Sequence, residues 1–105
     1  MIKNALFCFV FFSNLLIGEV IFDVRTAEEF KSGHLDKSIN IEWQEILSLP
    51  SNIDKSKKIY LYCRSGNRSQ KATEILFQAG FLNVENLGSI TQASEKLKVK
   101  IIKKI

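Results

Sequence analysis

A strand-like apolar run, Ile59-Tyr60-Leu61-Tyr62, leads through the loop Cys63-Arg64-Ser65-Gly66-Asn67-Arg68-Ser69 into a segment where Ala72, Ile75, Leu76 and Ala79 recur at helical spacing. Strand, tight polar loop and one-faced helix in that order restrict the chain to architectures that stack helices on a sheet. The loop restricts the chemistry as well. Amides of a tight turn converge on one point, and the following helix N-terminus adds the positive end of a dipole, so a cysteine at the strand end sits where an anionic sulfur is held at low cost. Arg64 and Arg68 bring two full positive charges into the same seven residues. The loop suits a thiolate and an anion at once.

The flanking chain alternates in the same way. Val20 to Val24 reads as a buried strand. Thr26 with Glu29 forms a capping box, predicting a short helix to about Ser32 that Gly33 ends. Ser38 to Ile41 reads as a second strand, and Trp43 to Leu47 as a short helix stopped before Pro50. After a polar connection, Lys55 to Lys58, come the strand and loop above. Gly80 then caps the long helix, a further strand lies within Phe81 to Leu87, and Ile90 to Leu97 forms a last helix. This alternation predicts a single α/β domain with a mainly parallel central sheet flanked by helices. In such sheets ligands bind beyond the carboxyl ends of the strands, which is where Cys63 stands. A length of 105 residues leaves room for one domain, and 46% hydrophobic with 25% charged residues is a globular balance.

That balance is uneven along the chain. Lys3 is followed by an uncharged run, Ala5 to Ile17, holding four of the eight phenylalanines. A basic start and an apolar run of this length are the layout of a secretory signal, and the run is short for a membrane span of roughly 20 residues. Residues 1–18 are therefore expected to be a signal peptide, with Gly18 near the junction and residues 19–105 as the mature domain in the periplasm. An uncleaved membrane anchor is the alternative. Cys8 falls in this leader, which leaves Cys63 as the mature chain's one thiol and no internal disulfide. The net charge of +4 includes Lys98, Lys100, Lys103 and Lys104 near the C-terminus. No aromatics interleave with them, so a solvated or frayed tail is the expectation and nucleic-acid binding is not.

Sulfur chemistry needs the thiolate, and a free cysteine titrates near pH 8.5. Gly66 lets the loop curl into positive φ, while Ser65, Asn67 and Ser69 add small polar donors. The same ring of donors could hold the anionic terminal sulfur of a persulfide. A structural cysteine in a strand-to-helix turn would more commonly have apolar neighbours. Cysteine-based phosphatases space Cys-x5-Arg so that the arginine clamps two phosphate oxygens. Here that position is Ser69 and the arginine comes one residue early, at Arg68, so phosphatase activity is a distant third reading.

With its flanks the loop resembles the rhodanese family of sulfurtransferases. Ile21-Phe22-Asp23-Val24-Arg25 with Glu28-Glu29-Phe30 is similar to its first signature, Gly33-His34-Leu35 with Ile39-Asn40-Ile41 to its second, and Cys63 to Ser69 to its active loop. Asp36-Lys37-Ser38 replaces the usual Pro-Gly-Ala, and Leu87-Gly88-Ser89 the usual Gly-Gly pair. The short length, the leader and Val84-Glu85-Asn86 are most similar to small bacterial periplasmic rhodaneses of the phage-shock-protein E type. The resemblance implies a thiosulfate sulfurtransferase. Cys63 would take the outer sulfur of thiosulfate as a persulfide and pass it to cyanide or a thiol, without cofactor or metal. Arg64 and Arg68 would position the anionic donor, and the amides from Arg64 to Ser69, through Ser65, Gly66 and Asn67, would hold the sulfur. Asp23 and Arg25 would brace the loop through an ion pair, and His34 would be structural. The alternative is a persulfide carrier or sulfur sensor serving a partner protein.

Overall fold

The computed structural model of the protein describes residues 18–103. Residues 1–17 of the expected leader, Cys8 among them, and Lys104 lie outside the described residues. Four parallel strands form the central sheet in the order β3-β1-β4-β5, where β1 is Glu19–Asp23, β3 Ile39–Asn40, β4 Lys58–Cys63 and β5 Val84–Ser89. Among the described residues the helices after strands or turns are α1 (Ala27–Ser32), α2 (Asn67–Gln78) and α3 (Ile90–Leu97). A short antiparallel pair, β2 (Gly33–Leu35) with β6 (Ile101–Lys103), completes the fold.

Side chains alternate across a strand, and β4 shows what this does for the site. Ile59, Leu61 and Cys63 face a core built with Phe22, Val24 and Ile46 and with Ala72 and Leu76 of α2. Tyr60 and Tyr62 face the other layer, with Ile21, Leu35, Leu87, and Ala93 of α3. Cys63 thus ends the strand on the side that α2 covers. A tight turn leads from it into that helix.

The capping box of α1 is complete: Thr26 Oγ1 accepts from the Glu29 N–H, and Glu29 Oε1 accepts from the Thr26 N–H. At the far end of α2, Gly80 (φ +101°) donates to the Phe77 carbonyl and Phe81 to the Leu76 carbonyl. That is a Schellman closure, with Phe81 and Leu76 sharing the core beneath it.

Three local expectations are corrected. The strand around Ser38 is only Ile39–Asn40, because Ser38 belongs to a turn. Its N–H and hydroxyl both donate to the Leu35 carbonyl, and Lys37 beside it takes φ +73° where the resembling family carries a Pro-Gly pair. The segment Trp43–Ser48 is a 3₁₀ helix broken at Glu45, with no side-chain cap at its start. The described part of the lysine-rich tail, through Lys103, keeps its lysines in solvent as expected, but its backbone is paired. Asp36 donates to the Lys100 carbonyl, and Ile101, Ile102 and Lys103 pair with Leu35, His34 and Gly33.

Candidate active site

Two glycines shape the loop. Gly66 is the residue before α2 and takes φ +99°, ψ −12°. A Cβ there would approach the Cα of Gly88 at 3.4 Å, so the left-handed backbone more than the space demands glycine. Gly88 (φ +93°) lies in a bulge of β5: Leu61 pairs with Asn86, but Cys63 pairs with Ser89. One extra residue on β5 brings its chain back against the loop, a known use of bulges beside functional sites. Gly66→Ala is expected to cost about 1–2 kcal/mol of stability. It should also turn the Gly66 N–H off the sulfur and raise the Cys63 thiol pKa. Urea melts and the pH dependence of iodoacetamide alkylation would check both effects, and an unchanged alkylation profile would count against the ring described next.

The turn directs its donors at one atom. Cys63 Sγ accepts from the Gly66 N–H at 2.9 Å and the Ser69 N–H at 3.4 Å, with the Ser65 amide adding a third interaction, and it lies 3.3 Å from Ser69 Oγ. Burial pushes the thiol pKa up, but the Ser69 hydroxyl and the three amides outweigh it and hold the thiol below its ordinary value. No acidic side chain stands in the first turn of α2, so the positive helix end is left to the sulfur. Of the amides expected to converge, those of Ser65, Gly66 and Ser69 do so. Asn67 directs its N–H to Ser65 Oγ instead, at 3.5 Å.

Ser69 has one proton and two neighbours for it. Its hydroxyl donates to Asn86 Oδ1 at 2.6 Å, so a Cys63 thiol can donate to Ser69 Oγ while a thiolate must draw the hydroxyl proton toward itself. Asn86 ties the loop further, donating to the Gly66 carbonyl and to Gln70 Oε1, both at 3.1 Å, and accepting from Gly88 N–H at 2.9 Å. Asn86 is a site residue without a role in the sequence pattern, marked there only by the family-like stretch Val84-Glu85-Asn86 and a glycine two positions on.

The arginines part company. Arg64 is exposed and makes no hydrogen bond or ion pair among the described residues. Arg68 is engaged within the chain: its terminal nitrogens donate to both Glu29 oxygens, at 2.8 and 3.1 Å. Arg68 holds the Glu29 carboxyl down at about 2, with the Thr26 cap helping. Glu29 in turn is the main reason that the Arg68 pKa is raised, and the Cys63 sulfur adds to it.

Asp23 and Arg25 do form the expected ion pair, at the carboxyl end of β1 in register with Tyr62, beside the strand end that carries Cys63. Arg25 Nη2 lies 2.6 Å from Asp23 Oδ2 and also donates to the Gly33 carbonyl. No described hydrogen bond links the pair to residues 64–69. His34 has a structural setting, stacked on Phe30 at 3.7 Å with Nδ1 2.9 Å from the Phe30 carbonyl oxygen.

A rhodanese-like domain model matches residues 12–96. The chain is 34% identical over 70 residues to the thiosulfate sulfurtransferase PspE of Escherichia coli, covering 65% of this chain and 67% of that protein. It is 36% identical over 88 residues to the adenylyltransferase and sulfurtransferase UBA4 of Lodderomyces elongisporus, covering 73% of this chain but only 19% of that much longer protein. Among solved structures, a rhodanese with anions from E. coli superposes with a TM-score of 0.68 at 30% identity, over 81% of this chain and 98% of that one. The sulfur ring at the end of β4, the parallel sheet beneath it and these matches agree: the chain belongs to the rhodanese-like domain family.

Proposed function

We propose that the protein is a thiosulfate sulfurtransferase that carries sulfur as a persulfide on Cys63. The observation that carries this reading is the ring of donors from Ser65, Gly66 and Ser69 around one thiol held below its ordinary pKa. The Cys63 thiolate attacks the outer sulfur of thiosulfate, a new S–S bond forms, and the donor's own S–S bond breaks with its electron pair leaving on sulfite. Cyanide or an acceptor thiolate then attacks the outer persulfide sulfur, and the Cys63 thiolate returns. No external oxidant enters the balance, and the order of steps is ping-pong. Cys63 is fully buried while Arg64, Ser65 and Asn67 are exposed, so the loop yields as the donor reaches Sγ. The apolar leader motivates export to the periplasm, with an uncleaved anchor as the alternative.

Intact mass spectrometry of the exported protein after exposure to thiosulfate tests the reading. The mass should rise by one sulfur atom and fall back on addition of cyanide, and the same spectrum reports whether residues up to about Gly18 are missing. No adduct at any pH would overturn sulfur transfer. A second reading draws on the match to about a fifth of UBA4, a protein that joins sulfurtransferase to adenylyltransferase in its name. In that reading Cys63 delivers its sulfur to a partner protein. A persulfide that forms readily but turns over slowly with cyanide would favour it.

A further inference from the structure

Glu29 is bound from two sides. As the third residue of α1 it closes the capping box, its Oε1 accepting from Thr26 N–H at 2.9 Å and Thr26 Oγ1 at 3.1 Å. The same Oε1 takes Arg68 Nη1 at 2.8 Å, and Oε2 takes Nη2 at 3.1 Å. The cap fixes the carboxylate to the start of a helix, so it cannot swing away with Arg68 or drift into solvent. Both side chains are less than a third exposed, at 29% for Arg68 and 27% for Glu29, which partly shields the pair from water and salt. Arg68 lies in the first turn of α2, one residue before Ser69, whose N–H and hydroxyl face the sulfur. Of the two guanidinium groups that the loop supplies, Arg64 is unpaired and Arg68 is neutralised in place.

We infer that Glu29 is a specificity-determining residue. By occupying Arg68 it lowers the positive charge that an incoming sulfur donor meets at Cys63, and so weights the site away from dianions and toward donors of lower charge, such as hydropersulfides. The inference rests on sulfur transfer at Cys63. A dianion seeking a bidentate grip on Arg68 must displace a carboxylate already fixed within the chain, and that competition raises the concentration of thiosulfate needed to fill the site. A donor with one charge or none loses less, because it needs no bidentate grip on Arg68 and Arg64 stays exposed at the loop.

The test is Glu29→Gln. Glutamine also closes a capping box, so α1 keeps its start while the charge is lost. Cys63 is alkylated in parallel with iodoacetate, an anion, and iodoacetamide, its neutral counterpart. Both reagents must pass the same loop, so the ratio of their rates reads charge at the sulfur and not access. Glu29→Gln should raise the iodoacetate-to-iodoacetamide ratio about five- to tenfold, and should lower the KM for thiosulfate by a similar factor, more than it changes kcat. Adding Arg68→Gln to it should return the ratio to the wild-type value or below, and Arg68→Gln alone should depress it. An unchanged ratio in Glu29→Gln, or a gain that survives Arg68→Gln, would overturn the inference. If Glu29→Gln does not fold, Arg68→Gln alone decides, since a ratio that fails to fall sinks the idea. The alkylation readout needs no sulfurtransferase activity. A raised ratio in a protein that takes up no sulfur would leave the charge role standing and remove the sulfur-transfer reading, while turnover with a flat ratio would do the reverse.

Discussion

Cys63→Ser is expected to lower turnover with thiosulfate at least about ten-thousand-fold and to abolish the sulfur adduct, with little loss of fold. The argument is one of ionisation. A thiol titrates near pH 8.5 before the loop lowers it, whereas an unactivated hydroxyl, like water, keeps its proton far above that range. So wide a gap cannot be closed by amides whose effect on the sulfur is already offset in part by burial. Nor is there a general base to substitute for lowered pKa: among the described residues, the groups that meet Cys63 Sγ are the Ser65, Gly66 and Ser69 amides and the Ser69 hydroxyl. The serine oxygen would meet the same donors, so its buried hydroxyl is satisfied and the stability cost stays near 1–2 kcal/mol. Activity and melting temperature therefore separate. Thiosulfate–cyanide kinetics beside a thermal melt would show it, and a serine variant that still turned over within tenfold of wild type would place the nucleophile elsewhere.

What could be read from the residues follows the range of the interactions. The capping box of Thr26 and Glu29, the face of α2 marked by Ala72 and Leu76, and the glycine turn at Gly80 are set by neighbours within one or two turns, and each stands where the pattern placed it. Helix α3 likewise spans Ile90–Leu97 with its own box of Ser89 and Gln92. The ring around Cys63 was legible for the same reason: its donors come from the next six residues. The direction of Arg68 was not. Glu29 is 39 positions away, and its part in a local cap concealed its part in the site. Asn86 reaches the loop from β5, a strand 17 positions beyond Ser69 that the sheet sets beside β4, and no periodicity announces the extra residue that follows it. The pairing of β2 with β6 joins segments of three residues from distant parts of the chain, too short to show alternation. The lysines there looked like a solvent tail because their charges are exposed. The backbone between them is what pairs.

Asp23→Ala is the substitution expected to cost the fold most. Asp23 is fully buried at the end of β1, and its carboxylate accepts from the Arg25 backbone N–H at 2.9 Å and from Arg25 Nε and Nη2, the last at 2.6 Å. The Tyr62 hydroxyl lies nearby, and burial first, with the Asp23 carboxylate adding to it, keeps that phenol well above its ordinary pKa. Removing the carboxylate leaves the Arg25 guanidinium, itself only 7% exposed, with the Gly33 carbonyl and the face of Tyr62 at 5.7 Å for company. Breaking a buried pair in this way costs about 3–5 kcal/mol, against total stabilities of about 5–15 kcal/mol for a domain. At about 4–8 °C per kcal/mol for a chain of this size, the melting temperature should fall by about 12–40 °C. The penalty belongs to the stranded charge more than to the lost contact. Asp23→Ala combined with Arg25→Met should therefore melt well above Asp23→Ala alone, a non-additivity that a double-mutant cycle in urea measures directly. A single variant within about 5 °C of wild type would show that the pair is solvated and holds little. Because the pair braces β1 against β2 and Tyr62 rather than residues 64–69, sulfur uptake in the single variant should follow the fraction of folded protein as temperature rises. A loss of uptake in protein still folded at low temperature would instead put Asp23 in direct service of the Cys63 loop.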